Sequence, residues 1–505
     1  MPDVTETLAV HDPTDGRVVG DTPTQSREEV QQIASRLRAA QPAWEALGPR
    51  QRAVHVGRLR DWVLDHQDEL VDLLRKESGK AMPDASLEAM GIVDVMTYFA
   101  GQAEQALSDE GVKPHGPLTM SKQLELRRRP YQLVGIITPW NFPLTLPVMD
   151  AIPALLAGAS VILKPSEYTP LALQRMVRAW TEELGAPDVF ALALGTGDVG
   201  ESVVEVADYV QFTGSTVTGR KIGVRCAERL IPCGLELGGK DPMIVLADAA
   251  IERAANGAAW GGLFNAGQVC TSVERVYIED AVYEEFVDLL VERVRTLRTG
   301  PSPNGELRDV GAMANLNQLE IVERQVNDAV ANGARVLTGG RRIDGPGFYY
   351  EPTVLVDVDH DMLVMREETF GPVIPVMRVA DVEEAIERAN DSQYGLSASV
   401  WTGSRDRGLQ IARRLEAGAV NVNDVFSNLF ALGLPMAGWK RSGLGARLGG
   451  DSAIQKYCRT QAVTAAKLTP ATEIAWYPYA SWKTKIAGRI VRLSAARDLR
   501  RRLGV

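Results

Sequence analysis

The 505-residue sequence has few of the residues that build disulfide frameworks or metal sites. It contains only five histidines and four cysteines, and none of the cysteines forms a Cys-x-x-Cys pair. The cysteines are Cys226, Cys233, Cys270 and Cys458. A disulfide-stabilised fold and a zinc finger are therefore poorly supported. We predict no metal site and a reducing, cytoplasmic location.

Long apolar runs and an excess of basic residues are also missing. No apolar run reaches the about 18 residues that a transmembrane helix needs, and the acidic segment Met1–Glu6 lacks the apolar core of a secretory signal. The formal charge is −10, which gives no whole-chain basic footprint for nucleic acid. With 45% hydrophobic residues, the chain has an ordinary globular composition, and its length predicts two or three domains.

The carboxyl-terminal segment departs from this acidic balance. Residues 483–505 hold eight Lys or Arg residues against one acid, Asp498, so they carry +7 and the rest of the chain −17. Four aromatic residues precede the segment, and three aliphatic residues within it share one helical face: Trp476, Tyr477, Tyr479, Trp482, Ile486, Ile490 and Leu493. This pattern predicts peripheral contact with an anionic membrane. The alternative is a solvated helix on the acidic body or on a neighbouring subunit.

From residue 133 the sequence alternates short apolar runs with helical segments. The predicted strands are Leu133–Ile137, Ser160–Leu163, Val189–Leu194, Tyr209–Phe212 and Met243–Leu246, and the helices between them are 145–158, 170–184, 198–206 and 218–229. Uniformly apolar strands that alternate with helices predict a parallel sheet covered on both faces. The alternation continues over 250–435, with helices at 282–298, 317–332, 381–390 and 405–416. Residues 27–75 are predicted to be helical, and 117–132 to form an exposed strand.

Two glycine-rich segments follow predicted strands. Gly195–Gly200 matches the pattern Gly-x-Gly-x-x-Gly, but the region about 20 residues further on, Thr213–Val217, lacks the acid that the dinucleotide fingerprint requires. This segment is either a cofactor contact or a plain strand–helix turn. Phe212–Arg220 opens a helix with hydroxyl residues, which suits both a phosphate site and an N-cap.

Three segments carry chemically versatile residues: Pro139–Pro143, Leu235–Lys240 and Asn265–Cys270. Taken singly, Asn141 reads as a turn residue, Glu236 as a surface acid and Cys270 as a small buried side chain. A nucleophilic cysteine needs a base or an electropositive site. Since no histidine lies between positions 115 and 360, a Cys–His hydrolase is hard to build locally, and Glu236 is the candidate base.

In this order and spacing, the three segments resemble the aldehyde dehydrogenase superfamily. Lys164–Glu167, the Gly-Ser-Thr turn at 214–216 and Glu367–Pro372 strengthen the resemblance, which covers roughly residues 8–465. It implies that Cys270 is the nucleophile and Glu236 the general base. Asn141 would stabilise the alkoxide together with the backbone N–H of Cys270.

The resemblance also implies the cofactor, NAD with NADP as an alternative, and the residues that bind it. Trp140 would lie against the cofactor, Lys164 and Glu167 would hold the adenosine ribose, and Ser215 would meet the pyrophosphate. Glu368 and Phe370 would hold the nicotinamide ribose and ring. The complete set is Thr138, Trp140, Lys164, Glu167, Gly197, Gly214, Ser215, Thr216, Leu237, Glu368 and Phe370.

The fold implied by the resemblance is α/β, with a dinucleotide-binding parallel-sheet domain, an α/β catalytic domain and a small β arm that joins subunits. The binding domain would comprise 1–117 and 133–237, the catalytic domain 238–440, the arm 118–132 and 450–466, and the basic tail 467–505. The expected assembly is a homodimer or a homotetramer.

Some positions depart from the family pattern and bear on the substrate. Many members carry Lys where this chain has Asp150, and the usual Pro-Phe-Gly-Gly is replaced at 435–438. Within the family, the sequence is similar to bacterial groups named for diapolycopene dialdehyde and for succinate semialdehyde, both of which have the Glu274–Tyr277 segment. Relatives devoted to succinate semialdehyde tend to have Arg at the positions of Met149 and Phe264. The apolar residues here predict an apolar or aromatic aldehyde.

Three other functions remain as alternatives. A succinate-semialdehyde dehydrogenase would need an Arg from another loop. A CoA-acylating relative commonly lacks the Glu base, so Glu236 argues against it. A non-catalytic binding protein on the same fold would be expected to have lost the cysteine or the glutamate, and both are present.

Overall fold

The computed structural model describes residues 7–116, 119–302 and 306–503. Its first part alternates helices and strands, and from residue 133 onward the order is the predicted one. The elements up to Glu236 are β1 Thr7–His11, β2 Val18–Pro23, α1 Arg27–Ala46, α2 Gly48–Asp65, α3 Gln67–Ser78, α4 Met82–Ala106, β3 Glu110–Val112, β4 Lys122–Pro130, β5 Leu133–Ile137, α5 Thr145–Ala157, β6 Ser160–Lys164, α6 Leu171–Glu182, β7 Phe190–Leu192, α7 Gly197–Val206, β8 Tyr209–Thr213, α8 Thr216–Glu228 and β9 Cys233–Glu236.

The second part continues the alternation and ends in a separate helical tail. Its elements are β10 Asp241–Val245, α9 Ile251–Leu263, β11 Val273–Glu279, α10 Tyr283–Arg295, α11 Leu316–Ala331, β12 Arg335–Thr338, β13 Thr353–Val356, α12 Leu363–Arg366, β14 Val373–Val379, α13 Val382–Asn390, β15 Tyr394–Gly395, β16 Ser397–Trp401, α14 Arg405–Ala412, β17 Ala419–Val422, α15 Ser427–Phe430, β18 Pro435–Met436, β19 Trp439–Lys440, β20 Gly443–Leu444, β21 Arg447–Leu448, α16 Asp451–Gln455, β22 Cys458–Ala466, α17 Ser481–Ala495 and α18 Leu499–Leu503. Short 3-10 turns cover Phe264–Gly267 and Asp280–Val282.

A six-stranded sheet organises the first part, in the order β20-β9-β8-β5-β6-β7. Its strands are parallel except for the short β20, which returns from late in the chain and pairs antiparallel with β9. Alternate residues of β5 point to opposite faces, so Val134 and Ile136 enter one apolar core and Leu133 and Ile137 the other. Burial on both faces explains why these strands read as continuous apolar runs.

A seven-stranded sheet organises the second part, in the order β12-β13-β14-β11-β10-β16-β17. Only β12 at its edge pairs antiparallel, with β13. Helix α9 packs its alanine-rich face, including Ala254 and Ala258, into the core that this sheet shares with α10 and α11. The predicted α/β class with parallel sheets is confirmed.

A third sheet of three antiparallel strands, β22-β4-β3, stands apart from both parallel sheets. It contains the two segments predicted for the arm, and β3 was not expected from the sequence. In the second predicted arm segment, 450–466, the strand begins only at Cys458. Residues 451–455 instead form α16, which buries Ala453 and Ile454 in the same core as Val134 and Ile136. Residues 117 and 118, at the predicted arm boundary, lie outside the described residues.

Two other predicted features can be compared with the structure. The helix expected over 405–416 ends at Ala412, because residues beyond it lead into β17. Over the described ranges, no helix is both long enough and apolar enough to cross a bilayer. The domain limits given by the sequence, and the roles attached to them, stay a prediction.

Candidate active site

A groove runs along the carboxyl ends of the parallel strands in the six-stranded sheet. Thr138 follows β5, Lys164 ends β6, Gly197 begins α7 and Gly214 follows β8, and all four line one cavity of about 600 Å³. The carboxyl edge of a doubly wound sheet is where such folds bind nucleotides. The cofactor residues predicted from these four segments therefore lie together in one groove.

Lys164 and Glu167 form an ion pair within the groove. The Lys164 Nζ lies 3.0 Å from Glu167 Oε2, with the lysine buried and the glutamate one-third exposed. The carboxylate thus partly neutralises the ammonium that would otherwise meet a phosphate. Glu167 Oε1 remains available to accept hydrogen bonds from hydroxyl groups of a ligand.

Helix α8 begins beside the same groove. The Ser215 hydroxyl caps the helix by accepting from the Thr218 N–H at 3.3 Å. The first-turn amides of a helix of this length have no intrahelical acceptor and favour an anion. Thr216, however, does not line either part of the groove, because its hydroxyl turns to the Arg441 carbonyl at 3.4 Å.

A second cavity, of about 280 Å³, continues from the first. The two share Pro139, Thr213 and Gly214, so the groove is unbroken. The second cavity brings together all three predicted catalytic residues and, apart from Thr216, the remaining predicted cofactor residues: Asn141, Glu236, Cys270, Trp140, Ser215, Leu237, Glu368 and Phe370. Asn141, Glu236 and Cys270 come from three different loops and strands, yet they meet at one end of the groove.

The backbone before Cys270 is held in an uncommon conformation. Asn265 and Ala266 have φ values of 53° and 56° inside a 3-10 turn, although neither is glycine. Such left-handed residues are strained and cluster at functional sites. At Gly267, φ is 72°, and a side chain would place its Cβ 2.1 Å from the Gly371 carbonyl oxygen. Only glycine fits there, which fixes the nucleophile loop against the 368–371 loop.

Asn141 is buried and bound from several sides. Its side-chain N–H donates to the Gln268 carbonyl at 3.0 Å, and its own carbonyl accepts from Asn265 Nδ2 at 3.1 Å and from Lys80. The Asn141 side-chain oxygen has no partner among the described residues. An amide group offers two N–H donors, so one remains for an oxygen in the cavity.

Glu236 ends β9 and lies almost completely buried. Its Oε1 accepts from the Arg447 backbone N–H at 3.1 Å, and Oε2 has no partner among the described residues. Burial raises the pKa of Glu236 to about 7, against the lowering effect of Arg447 and Lys456. A carboxylate with this pKa can accept a proton near neutral pH.

A buried ion pair supports this end of the site. Arg447 NH2 lies 2.7 Å from Asp150 Oδ2, and neither side chain is exposed. The same guanidinium nitrogen also donates to the Thr213 hydroxyl, and the Tyr457 hydroxyl reaches Asp150 at 3.3 Å. Asp150, where the sequence departs from the family pattern, therefore holds Arg447 of β21, and the backbone N–H of Arg447 binds Glu236.

The Cys270 thiol sits among carboxyl groups. Burial raises its pKa to about 12, with Arg447 opposing the shift and Asp241, Glu368 and Glu236 adding to it. The raised pKa favours the protonated thiol. A positive charge near the sulfur would favour the reactive thiolate.

Glu368 approaches the backbone of the Glu236 loop. Its Oε1 accepts from the Gly239 N–H at 3.0 Å, and a Cβ on Gly238 would lie 2.4 Å from its Oε2. Burial raises the pKa of Glu368 to about 8. Phe370 stands edge-on to Trp140 with ring centroids 5.4 Å apart. Together they form the walls of the groove next to Cys270.

A buried network holds the Glu368 loop in place. Lys240 Nζ lies 2.7 Å from Glu274 Oε2, and Glu274 accepts the backbone N–H groups of Thr369 and Phe370, each at 2.8 Å. Glu274 belongs to the segment that marks the bacterial groups named above. Its role in this chain is to fix one wall of the groove.

A separate apolar cavity opens on the other side of Cys270. Cys270 and Leu146 line both this cavity and the groove. The other lining residues are mostly apolar: Leu87, Gly91, Val95, Phe142, Met149, Phe264, Val269, Leu429, Phe430, Leu432 and Met436, with Glu88, Asp94 and Thr145 as the polar members. No Lys or Arg lines it within the described part of the chain.

The sequence did not point to several residues of the site. Gln318 and Ile321 on α11 line the groove beside Phe370, and Lys221 and Arg225 on α8 line its far end. These residues lie on ordinary amphipathic helices without a local motif. Only the tertiary fold reveals that they face the groove.

Comparison with known proteins gives the same family as the sequence motifs. The chain matches the model of the aldehyde dehydrogenase family over residues 1–463. It is 41% identical over 458 residues, 90% of this chain and 87% of the other, to a Mycolicibacterium smegmatis protein whose name assigns it provisionally to the NADP(+) succinate-semialdehyde dehydrogenases. A 4,4'-diapolycopene aldehyde oxidase of a Methylomonas species is 37% identical over 478 residues, 94% of this chain and 89% of that protein.

Among solved structures, an NAD-dependent aldehyde dehydrogenase from Sinorhizobium meliloti superposes with a TM-score of 0.88. The two share 35% identity, and the match covers 94% of this chain and 93% of that one. The family uses NAD or NADP, and relatives named for each cofactor occur. The chain therefore belongs to the aldehyde dehydrogenase family.

Proposed function

We propose that this enzyme oxidises an apolar or aromatic aldehyde to a carboxylic acid through a covalent intermediate on Cys270. One observation carries the proposal: Cys270 lies where an apolar cavity meets a polar groove that also contains Asn141 and Glu236. The cavity suits the aldehyde and the groove suits a dinucleotide. The Cys270 thiol therefore lies where the aldehyde and the cofactor would meet.

The first step joins Cys270 to the aldehyde. The sulfur attacks the carbonyl carbon, and its proton leaves to a base, for which the unpartnered Oε2 of Glu236 is the candidate. The free N–H of the Asn141 amide and the Cys270 backbone N–H stabilise the resulting alkoxide. Because Lys80 and Asn265 hold the Asn141 backbone, the amide needs little reorganisation.

The second step releases the acid. Bound NAD or NADP supplies the acceptor for the hydride that leaves the former aldehyde carbon, which converts the adduct to a thioester. After Glu236 has passed the thiol proton to solvent, it takes a proton from water as the water oxygen bonds to the thioester carbon. The C–S bond then breaks, the acid leaves, and the proton held by Glu236 returns to the Cys270 thiolate. Glu236, buried with a pKa of about 7, is suited to this role at neutral pH.

The groove has the features that a dinucleotide needs. It is continuous from Glu167 to Cys270, the α8 amides face its middle, and Gly238 leaves room for Glu368 at the nicotinamide end. We propose NAD as the preferred cofactor. Glu167 is held by Lys164 and would accept from both ribose hydroxyls, whereas it would repel a 2′-phosphate.

Replacing Glu167 with glutamine should shift the cofactor preference toward NADP. We expect the wild-type enzyme to have a higher kcat/KM for NAD than for NADP. In the variant, the ratio of these two kcat/KM values should fall by about tenfold, since the repulsion between one carboxylate and the 2′-phosphate contributes on the order of 1.4 kcal/mol. The control is Glu182→Gln, the same chemical change on an exposed site of α6. A wild-type preference for NADP would refute the proposal.

The apolar cavity supports the choice of substrate. Met149 and Phe264 lie in its wall, where a carboxylate substrate would need a cation. Lys80 stands 4.1 Å from the Phe142 ring centroid, but Glu88, Asn141 and Asn265 already bind it. One relative is named for 4,4'-diapolycopene aldehyde rather than for succinate semialdehyde.

A panel of aldehydes tests the proposed function directly. With NAD and purified enzyme, we expect aliphatic and aromatic aldehydes to exceed succinate semialdehyde in kcat/KM by about a hundredfold, because an unpaired buried carboxylate costs several kcal/mol. The NADH formed should not depend on CoA. Succinate semialdehyde as the best substrate would contradict the apolar assignment, and a CoA requirement would contradict hydrolysis.

We also propose that the three-stranded sheet is an oligomerisation arm and that the enzyme is a cytoplasmic homodimer or homotetramer. Strands β4 and β22 pair over nine residues each; β22 is largely exposed, and β4 contains half-buried and exposed residues but no buried one. A long exposed two-sided ribbon is suited to pairing with another subunit. The predicted binding domain, 1–117 and 133–237, and catalytic domain, 238–440, are part of the same proposal.

A further inference from the structure

The chain ends in an amphipathic helix that the body of the protomer does not cover. Helix α17, Ser481–Ala495, contains no buried residue. Trp482, Ile486, Ile490 and Leu493 fall within an arc of about 80°, since successive residues advance by about 100° around a helix. All four are at least 40% exposed. The stripe is therefore free for an apolar partner.

Basic residues border this stripe on both sides. By the same helical geometry, Lys483 flanks one edge, and Lys485, Arg489 and Arg492 flank the other. The opposite face holds small residues and Val491. Long basic side chains beside an apolar stripe can extend toward anionic groups while the stripe is buried.

The neighbouring segments add to this arrangement. Trp476, Tyr477 and Tyr479 precede the helix and are more than half exposed. Helix α18 follows with Arg500, Arg501 and Arg502 between two exposed leucines. Tryptophan and tyrosine are the residues that favour the interface between lipid and water.

The tail is tethered but lies outside the enzymatic fold. Lys467 N–H donates to the Ser121 carbonyl at 2.9 Å, and Glu473 lies 2.5 Å from Lys122 of β4, so its beginning is attached to the three-stranded sheet. The match to the family ends at residue 463. Helix α17 therefore lies beyond the part of the chain that matches the family and is not buried against the sheets.

We propose that the segment from Trp476 to Leu503 binds the surface of a bilayer that contains anionic lipids. The basic residues attract the lipid phosphates, and the stripe enters the boundary between headgroups and acyl chains. The acidic remainder of the protomer could attract the basic residues of the tail, yet it leaves the apolar stripe exposed in this structure. A bilayer satisfies both the charge and the apolar stripe, and this binding does not depend on the substrate proposed above.

Sedimentation with vesicles tests the proposal on the full chain. Vesicles of equal parts phosphatidylglycerol and phosphatidylcholine should sediment the enzyme at low salt, while vesicles of phosphatidylcholine alone should bind it at least tenfold less. At about 1 M salt, where the Debye length is about 3 Å, binding to the anionic vesicles should also fall.

Charge reversal of Lys485 or Arg489 should weaken vesicle binding by more than about fivefold, because each basic residue near the surface contributes about that factor.

Two adjacent residues provide a matched pair of variants. Ile490 lies in the stripe and is 42% exposed, and Val491 lies on the opposite face and is 43% exposed. Ile490→Ser should weaken vesicle binding by about tenfold, and Val491→Ser should leave it unchanged. Because both sites are exposed, unchanged aldehyde oxidation would verify that both variants fold.

Three results would overturn the proposal. These are no sedimentation of the full chain with anionic vesicles, equal binding by the two serine variants, and a change of oligomeric state in Ile490→Ser without vesicles. The last result would show that the stripe is covered by a second copy of the chain. Failure here would leave the proposed oxidation untouched, since the aldehyde panel needs no lipid.

Discussion

Replacing Cys270 with alanine will abolish aldehyde oxidation and leave cofactor binding intact. Without the sulfur no covalent adduct forms, and hydride transfer from a free hydrated aldehyde lacks the positioning that the adduct provides. We expect NADH formation to fall by more than about a thousandfold. The groove residues Lys164, Glu167 and Glu368 are unchanged, so NAD titrated by calorimetry should bind with nearly wild-type affinity.

A second cysteine supplies the control. Cys233 is partly exposed, as Cys270 is, but it lies at the start of β9 outside both cavities around the nucleophile. Cys233→Ala should retain activity. Full activity in Cys270→Ala would rule out the nucleophile assignment, whereas loss of activity together with loss of NAD binding would indicate a damaged groove.

Glu236→Gln will separate the two halves of the reaction. The first turnover should still release NADH as a burst, provided that water or another group accepts the thiol proton, and the thioester should then persist because glutamine cannot take a proton from water. Since a general base contributes about a hundredfold or more, steady-state turnover should fall by at least that factor. Rapid-mixing absorbance at the NADH band measures both phases, and mass spectrometry of the quenched enzyme detects the acyl group on Cys270.

The pH profile of the wild type tests the same assignment. Burial raises the pKa of Glu236 to about 7, so the fraction able to accept a proton increases as the pH rises through that value. Steady-state turnover limited by deacylation should rise with it. This rise should disappear in Glu236→Gln. Turnover in the variant at the wild-type rate would mean that another base acts.

Much of the binding sheet could be predicted from the sequence because its strands are buried on both faces. The runs Leu133–Ile137 and Tyr209–Phe212 have no polar alternation that would suggest an exposed sheet, and they form β5 and β8 almost to the residue. Asn141, Glu236 and Cys270 could be proposed as catalytic residues because short motifs surround them. Their meeting in one cavity depends on tertiary structure that the motifs do not encode.

Other parts of the site arise from contacts between distant residues. Asp150 and Arg447 are 297 positions apart, so the sequence showed only an unusual acid without its partner. The left-handed conformation of Ala266 was also unexpected, since alanine disfavours positive φ. The next residue, Gly267, packs closely against Gly371. The apolar cavity gathers side chains from several separate segments, and the sequence pointed to Met149, Phe264, Cys270 and Met436 but not to most of the other lining residues.

The Asp150–Arg447 pair also constrains how this enzyme can evolve. Loss of Arg447 would leave Asp150 with only Lys456 at 3.6 Å and the Tyr457 hydroxyl at 3.3 Å, and loss of Asp150 would leave the buried Arg447 without its ion-pair partner. Breaking a buried pair in this way typically costs about 3–5 kcal/mol. Lysine at position 150, common in the family, would face Arg447 and place two cations together beside Glu236. We therefore expect lysine at position 150 to be tolerated only together with a compensating change at position 447.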